Sequence, residues 1–345
     1  MLASCFILVG LSYYLLNLFS AMVAAPRTPV EEREGRGELL LPVDGELIWM
    51  EASMDGRYLA AVVRGGEPTG ELLVLDLEEG CREVWRRKVR GDRAHWAGHG
   101  MFLVFEDGGD ILALNLEHQP PEVVEVAAGP GYDEDPLPSP DGRRVLYKST
   151  AGKGGGEEFM VARLDESEEP LALGPGEEPA AWDPTSTCLV CVVPTDGSVA
   201  GEGAKTMFQE ADVRSGAWVD RYVCAEEARY LWWPETGAFL YVAPYTRGGE
   251  TRAVWFEVRP SGEEKKRFST DGLEAGFSSR LFSPERGGTR LAYPGLKGLE
   301  ILDIRRGVIV RYPQAAAPGV PLAWREDADE ILWWEAGGIY RLSLD

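Results

Sequence analysis

The chain has 345 residues, of which 44% are hydrophobic and 10% are aromatic, so it can bury a large core and is not a disordered chain. Lys and Arg number 35 against 57 Asp and Glu, which leaves a formal net charge of −22. Because so acidic a surface repels phosphates and anionic headgroups, the composition excludes nucleic-acid binding through a basic footprint.

The chain opens with an apolar segment, since residues 1–25 contain no charged side chain. A helix rises about 1.5 Å per residue, so this length can cross a hydrocarbon layer of roughly 30 Å. A cleaved signal peptide has a basic residue ahead of the apolar run, which is missing here, and its best cleavage site, Val23-Ala24-Ala25, is followed by Pro26. The sequence therefore predicts one hydrophobic helix over residues 1–25, acting as a transmembrane anchor or uncleaved signal.

Residues 26–36, PRTPVEEREGR, are predicted to form a short charged linker. Arg27, Arg33 and Arg36 follow the apolar segment, and a literal positive-inside count would keep the following domain in the cytoplasm. Against this count stands the usual purpose of a single N-terminal segment ahead of a folded domain, which is export. We expect a membrane-anchored domain outside the cytoplasm, with the opposite orientation as the alternative.

A turn followed by a β-rich run recurs along the rest of the chain. In the clearest copy, GYDEDPLPSPDGRRVLYKST at residues 131–150, Pro140 fixes φ and Gly142 accepts a positive φ, as a tight turn requires. The copies begin at positions 52, 96, 138, 182, 232, 282 and 324, at intervals of 44, 42, 44, 50, 50 and 42 residues. This period and strand content predict an all-β fold over residues 37–345, a seven-bladed β-propeller with four antiparallel strands in each blade.

Closure of the ring depends on the two ends of this region. The seventh unit stops at Asp345 after its third strand, so its outer strand is missing. Glu38 to Leu41 is a short apolar run ahead of the first blade. We therefore predict that this N-terminal strand supplies the missing outer strand and closes the propeller.

The repeat also carries a family resemblance. An aromatic residue, Ser-Pro-Asp-Gly, a short apolar strand and a later strand such as LLVLDLEEG resemble the WD40-like repeats of the TolB-like β-propeller superfamily. Asp135-Pro136 also matches, whereas Pro138 stands where an aromatic residue is usual. The resemblance covers about residues 37–345 and implies a fold rather than an activity. TolB itself has an α/β domain ahead of a six-bladed propeller, so its cellular role is not implied for this chain.

Residues suited to catalysis or metal binding are few. His95 and His99 flank the turn of the second unit, and as metal ligands they would need partners that the sequence does not supply. No Gly-x-Ser-x-Gly elbow is present, and no stretch remains to build a hydrolase domain beside the propeller. We therefore predict no catalytic residue, no metal site and no cofactor.

The cysteines are predicted to be free thiols. Cys188 and Cys191 lie three apart in a predicted strand, so their side chains point to opposite faces and do not meet one ion. A small buried residue is the simpler interpretation of both. Two further cysteines in predicted outer strands are interpreted in the same way: Cys81 and Cys224.

One face of the predicted ring has distinctive connections. The links between blades and those between second and third strands open on this face, which is the usual binding face of propellers. The second-to-third connections are long in blades three to five (STAGKGGGE, PTDGSVAGEGA and PYTRGGETR), and acidic residues lie beside them. The predicted binding residues on this arc are Asp133, Glu134, Asp135, Lys153, Glu177, Glu178, Glu226, Glu227, Tyr245 and Arg247. We expect the carboxylates of Asp133 to Asp135 to be solvent-exposed, and a plain solvated surface is the alternative interpretation.

These features predict a membrane-tethered, extracytoplasmic module that binds a protein partner or small envelope ligand, basic or cationic, without catalysis. The alternative is an extracytoplasmic hydrolase or lyase that acts on a glycan or peptide with acidic loop residues as acid and base. Two carboxylates that converge at the channel mouth with a raised pKa would favour the enzyme, and dispersed carboxylates would favour the binding module.

Overall fold

The computed structural model describes residues 28–35, 37–65, 69–98, 101–129, 131–150, 157–164, 169–175, 177–193, 206–224, 228–234, 236–247, 250–259, 264–270, 282–285, 288–316, 320–325, 327–335 and 337–344. The predicted membrane segment, residues 1–25, lies outside these ranges. Within them, no helix has the length and apolar character needed to cross a bilayer.

The described residues form seven β-sheets, which confirms the predicted all-β, seven-bladed propeller with four-stranded antiparallel blades. In each blade the strands follow one another from the innermost to the outermost position. Blade one contains β3 (Glu46–Ala52), β4 (Tyr58–Arg64), β5 (Gly70–Asp76) and β6 (Arg82–Val89). Blade two contains β7 (Ala94–Ala97), β8 (Phe102–Asp107), β9 (Asp110–Asn115) and β10 (Glu122–Ala127). Blade three contains β11 (Asp133–Pro138), β12 (Arg144–Ser149), β13 (Glu158–Arg163) and β14 (Leu171–Gly174).

The remaining blades repeat this order, and the N-terminal strands β1 (Val30–Glu32) and β2 (Glu38–Pro42) join the last two. Blade four contains β15 (Glu177–Trp182), β16 (Cys188–Val193), β17 (Thr206–Asp212) and β18 (Ala217–Cys224). Blade five contains β19 (Tyr230–Trp232), β20 (Phe239–Arg247), β21 (Glu250–Val258) and β22 (Glu264–Thr270). Blade six contains β23 (Ser283–Pro284), β24 (Arg290–Gly295), β25 (Gly298–Asp303), β26 (Val308–Tyr312) and β1. Blade seven contains β27 (Leu322–Arg325), β28 (Glu330–Glu335), β29 (Gly338–Ser343) and β2.

This strand order gives the ring two different faces. We call the face that carries the first-to-second and third-to-fourth connections of each blade the turn face. The opposite face, with the second-to-third connections and the links between blades, is called the loop face.

The repeated Ser-Pro-Asp-Gly turn on the turn face is held by its own side chains. In blade three, Ser139 Oγ donates to Asp141 Oδ1 at 2.6 Å and accepts from the backbone N–H of Arg144 at 3.0 Å. The N–H of Gly142 donates to the carbonyl of Ser139 at 2.9 Å, and Gly142 has a φ of +68°, which glycine adopts without strain. Equivalent contacts recur in blade one between Ser53, Asp55, Gly56 and Tyr58.

Tryptophans on the innermost strands join neighbouring blades. The indole N–H of Trp96 in blade two donates to the carbonyl of Glu51 in blade one at 2.9 Å. Trp182 in blade four makes the equivalent bond to Leu137 in blade three, also at 2.9 Å. Both indole rings are buried, which shows that the core lies between the blades. Tryptophan at this position therefore links neighbouring sheets in both pairs of blades.

The N-terminal segment closes the ring. β2 pairs antiparallel with β29, with Glu38 opposite Arg341 and Leu39 opposite Tyr340, which confirms the predicted outer strand of blade seven. β1 lies within the segment that we predicted to be a linker, and it pairs in parallel with β26 as a fifth strand of blade six. We call residues 28–42 the N-terminal strap, because they run along the outer edges of both blades.

Two glycines allow the strap to cross from blade six to blade seven. A Cβ on Gly35 would lie 2.7 Å from Leu342 Cδ1, and one on Gly37 would lie 2.1 Å from the ring of Trp333. A side chain at either position would collide with the core of blade seven, so the strap is packed against the propeller rather than lying loosely on it.

Three cysteines are free thiols, as predicted: Cys81, Cys188 and Cys191. On β16, Cys191 is fully buried whereas Cys188 is half-buried, as expected for side chains on opposite faces of one strand. Burial raises the pKa of the Cys191 thiol to about 12, which keeps it protonated and unreactive at neutral pH. The side chain of Cys224 lies outside the described residues.

Candidate functional site

The predicted site residues of blade three lie in a strand rather than in a connection. Asp133, Glu134 and Asp135 open β11, the innermost strand of this blade. Asp133 is only 5% exposed, and the other two side chains are half-buried. The expectation that these carboxylates are solvent-exposed is therefore wrong, because pairing with β12 begins at Asp133, opposite Ser149.

The other predicted site residues are only partly described. Glu177 and Glu178 open β15, at the equivalent position of blade four, and Tyr245 and Arg247 lie on β20. The side chains of these four residues lie outside the described part of the structure, as do Lys153, Glu226 and Glu227 entirely.

The structure instead gathers charged side chains from blades two and three at the loop face. We call this set the blade 2–3 cluster. Its members are Asp92, Arg93, Glu106, Asp110, Tyr132, Asp133, Glu134, Asp135 and Lys148. The set contains six carboxyl groups and two cations, and the guanidinium of Arg90 acts on Tyr132 from beside it.

Asp135 lies at the centre of the ion pairs in this cluster. It has a φ of +53°, at an irregularity in the pairing of β11 with β12. Its carboxylate lies 3.2 Å from Arg93 Nη1 in blade two and 3.5 Å from Lys148 Nζ in blade three. The bulge aims this side chain at both cations, and one carboxylate thereby ties two blades together.

Glu106, on β8 of blade two, lies in a negative environment. The hydroxyl of Tyr132 donates to its Oε1 at 3.1 Å. Burial raises the pKa of Glu106, and the charges of Asp135 and Glu134 raise it further, although the bond from Tyr132 acts in the opposite direction. Burial is therefore the main cause of the raised pKa of Glu106, and negative charge from blade three adds to it.

Asp133 is the most deeply buried carboxyl of the cluster. Burial raises its pKa, the hydroxyl of Ser149 lowers it, and the charge of Asp110 raises it again. Its Oδ1 has no hydrogen-bond partner among the described residues. Two carboxyl groups with raised pKa, Glu106 and Asp133, thus lie on adjacent blades, but different neighbours perturb each of them.

Blade two contributes carboxylates to the cluster that were not predicted from the sequence. Glu106 and Asp110 flank the hairpin FEDGGDI, whose Gly108 and Gly109 both have positive φ. This hairpin connects the second and third strands and so lies on the predicted binding face. Its acidic residues were the available signal, but its short length hid it beside the long connections of blades three to five.

A second polar group lies between the innermost strands of blades one and two. His95 Nδ1 lies 2.7 Å from Glu51 Oε2, and the ring of Trp49 meets His95 edge-on with centroids 5.4 Å apart. Burial and the charge of Glu51 raise the pKa of Tyr230 on the innermost strand of blade five. We interpret Glu51 and His95 as lining the central channel, because innermost strands surround it. Trp49 and Tyr230 pack in the core between blades.

His95 thus lies in a strand rather than in a turn, and His99 lies outside the described residues. Within the described ranges, no group of three or more His, Cys, Asp or Glu side chains is placed to hold a metal ion.

Comparison with known proteins supports the fold but does not identify a function. No family model matches the chain, and no curated protein matches it. The β-propeller domain of Cps50 (Swd1) from Myceliophteria thermophila is 13% identical, with a TM-score of 0.60 over 90% of this chain and 100% of that one. Hydrazine synthase from Kuenenia stuttgartiensis is 13% identical, with a TM-score of 0.61 over 89% and 96% of the two chains.

An oligogalacturonate lyase solved in complex with manganese is 11% identical, with a TM-score of 0.61 over 91% of this chain and 97% of that one. Enzymes and a propeller domain that is not named for an activity therefore share this architecture, and identities this low carry no function from one to another. In fold, the chain is a seven-bladed β-propeller of the kind that the resemblance to TolB-like and WD40-like repeats implies.

Proposed function

We propose that this protein is a non-catalytic binding module that holds a cationic group at the blade 2–3 cluster, on the loop face that continues over blades three to five. The observation that carries the proposal is the raised pKa of Glu106 among Asp135, Glu134 and Asp92. Burial first, and then these neighbouring charges, raise the pKa of Glu106. A cation bound beside the carboxyl would make it easier to ionise, so binding would offset part of that cost.

The chemistry of the cluster fits an ammonium or guanidinium group of a basic partner. Carboxylates accept charge-assisted hydrogen bonds from such groups, and the rigid inner strands β8 and β11 fix two of the acceptors. A net charge of −22 for the whole chain would attract a basic partner over a longer range.

Binding of a lysine tetrapeptide by the full-length protein tests this proposal. We expect the double variant Glu106→Gln/Glu134→Gln to bind the peptide roughly tenfold more weakly, because two half-buried charges near the ligand are removed. Isothermal titration calorimetry at low and moderate salt measures the loss. In the wild type, affinity should rise as the pH rises through the raised pKa of Glu106.

The matched control is Glu78→Gln/Glu79→Gln, which changes the net charge equally on the turn face. Both side chains are well exposed there, at 64% and 47%. An equal loss of affinity in both variants would show a general effect of net charge, and no loss in the first variant would overturn the site.

We further propose that the module is tethered to a membrane by residues 1–25 and faces the outside of the cytoplasm. The charge-free sequence of this segment supports the tether. A C-terminal reporter that is active only outside the cytoplasm should be active in the fusion, and the protein should stay in the membrane fraction. Strong activity of a cytoplasm-only reporter would contradict the orientation.

A hydrolase or lyase remains the second candidate function, and Glu106 is again the observation that favours it. A carboxyl with a raised pKa beside further carboxylates is suited to act as a general acid. If the protein turns over a peptide or glycan, Glu106→Gln should abolish turnover while the far-ultraviolet circular dichroism spectrum stays unchanged. Turnover at the wild-type rate in this variant would remove the site from this role.

A further inference from the structure

We propose that the outer rim of blades five and six lies directly against the lipid headgroups, so that the blade 2–3 cluster lies in the half of the ring that is farther from the bilayer. This inference rests on the proposed membrane tether. It concerns a surface on the opposite side of the ring from the proposed binding site.

The described chain enters the propeller at the outer edge of blade five. Thr28 is only 8% exposed, and its Oγ1 accepts a hydrogen bond from the backbone N–H of Ser269 at 2.9 Å. Ser269 lies on β22, the outermost strand of blade five. The strap is therefore already fixed to the rim at its first described residue.

The following residues fix the strap to blade six. The carbonyl of Pro29 accepts from the N–H of Ile309 at 2.9 Å, and Glu31 pairs with Arg306 at 2.7 Å. Arg33 N–H then donates to the carbonyl of Arg311 at 2.8 Å. These bonds hold the strap directly against the edge of blade six from Pro29 to Arg33.

The tether between the apolar segment and the propeller is short. Only Pro26 and Arg27 separate the apolar segment from Thr28. Three extended residue steps span at most about 11 Å, which is comparable to the thickness of a headgroup layer. If residues 1–25 span the bilayer, the rim around Thr28 has no room to stand away from its surface.

The sequence of the outer strand of blade five contains several basic residues. Strand β22 has the sequence EKKRFST, with Lys265, Lys266 and Arg267 in succession, although the chain as a whole is strongly acidic. β22 is the last strand of its sheet, so it forms the edge of blade five. In the sequence these three cations offset Glu31, Glu32 and Glu264 of the same rim, so the rim should repel phosphate-bearing headgroups less than the strongly acidic remainder of the protein does.

The consequence concerns the proposed binding site. In a ring of seven blades, the position opposite the junction of blades five and six is blade two. A basic partner approaching from the aqueous side therefore meets the blade 2–3 cluster without competing with the membrane.

Energy transfer in lipid nanodiscs tests this arrangement on the full-length chain. A donor dye is placed at Arg305→Cys or at Glu125→Cys, with native cysteines replaced, and acceptor dyes are carried on the headgroups of phosphatidylcholine. Residue 305 is exposed and adjoins Arg306, which pairs with the strap, whereas Glu125 is exposed on the outer strand of blade two. A domain of this size has a radius of gyration of about 20 Å, so the two sites differ in distance by roughly a domain diameter.

We expect several-fold stronger transfer from position 305 than from position 125. Insertion of a flexible Gly/Ser stretch between Pro26 and Arg27 should largely abolish this difference, because a long tether frees the rim. Equal transfer from both sites in membrane-bound protein would overturn the orientation while leaving the tether intact. Protein that fails to stay with the nanodiscs would overturn the tether and, with it, this inference.

Discussion

Carboxyl groups have lowered pKa values on the turn face and raised pKa values on the loop face. On the turn face, Asp76 ends β5 and Glu285 follows β23. Burial acts to raise the pKa of each, but hydrogen bonds from Arg57 to Asp76 and from Arg290 to Glu285 hold both values below the ordinary range. On the loop face, burial and neighbouring negative charge raise the pKa of Glu106.

This difference separates structural carboxylates from available ones. A carboxylate with a lowered pKa already has its cation and its N–H donors inside the protein, so it gains little from a ligand. A carboxylate with a raised pKa is ionised at a cost to the fold, and an external cation reduces that cost. This difference is why we propose the loop face, rather than the turn face, as the binding face of the ring.

The largest expected effect is a break in the packing of the turn face. A Cβ on Gly142 would lie 2.6 Å from the Cα of Gly98, a glycine in the turn of blade two. We expect Gly142→Ala to lower the free energy of unfolding by about 3 kcal/mol, from the positive φ and from the clash between two backbones. Urea denaturation followed by tryptophan fluorescence measures this loss.

Gly80→Ala is the matched control for backbone strain alone. Gly80 has a φ of +69°, nearly that of Gly142, but a Cβ there would meet no atom within 4 Å. We expect a loss of about 1 kcal/mol. Equal losses in the two variants would show that the turn glycines serve conformation only and do not hold neighbouring blades together.

The next effect removes a structural carboxylate from the turn face. The Asp76 side chain is 1% exposed and accepts from Arg57 Nη2 at 2.9 Å and from the N–H groups of Glu78 and Glu79. Loss of these charge-assisted bonds in Asp76→Asn should cost about 2 kcal/mol at neutral pH. Because the pKa of Asp76 is lowered in the folded state, this stabilisation is present above the unfolded value and is lost as the pH falls through the folded one.

The pH series therefore checks the sign. The stability difference between wild type and Asp76→Asn should be constant from about pH 7 to pH 5 and should shrink below about pH 4. A difference that grows on acidification would contradict the assignment of Asp76 as a carboxylate that stabilises the fold in its ionised form.

The fold was predictable because each blade repeats the same local chemistry. The turn around Asp141, the inward Trp96 and Trp182, and the strand that Glu38 opens all follow from short-range patterns that recur at a fixed period. β1 was not predictable, because the polar sequence of Val30–Glu32 has no alternation and its pairing partner lies nearly the whole chain away.

The candidate site was less predictable because it depends on contacts between blades. The sequence identified Asp133 to Asp135, but not that β11 begins there and buries Asp133. Glu106 and Arg93 join them from a different repeat, and no spacing along the chain reveals which residues of two blades face one another. The long connections of blades four and five led us to predict binding residues there. The carboxyl with a raised pKa, Glu106, lies instead at the short hairpin of blade two.

The smallest expected effect is the change in stability on removing the charge of Glu106. It tests the difference between the two faces most directly, because we expect stability to rise where removal of Asp76 lowers it. Glu106 has a raised pKa in the folded state, so its ionisation lowers stability at neutral pH, and this penalty disappears as the pH falls below the unfolded value. Glu106→Gln keeps an acceptor for the Tyr132 hydroxyl and should raise the free energy of unfolding by up to about 1 kcal/mol at pH 7, with no gain near pH 4. Chemical denaturation at both pH values measures the change, and Glu79→Gln on the turn face, expected to give no gain, is the control. A loss comparable to that of Asp76→Asn would show that Glu106 is another structural carboxylate. A gain in stability together with weaker binding of the lysine tetrapeptide would show that the fold tolerates this repulsion because the site uses it.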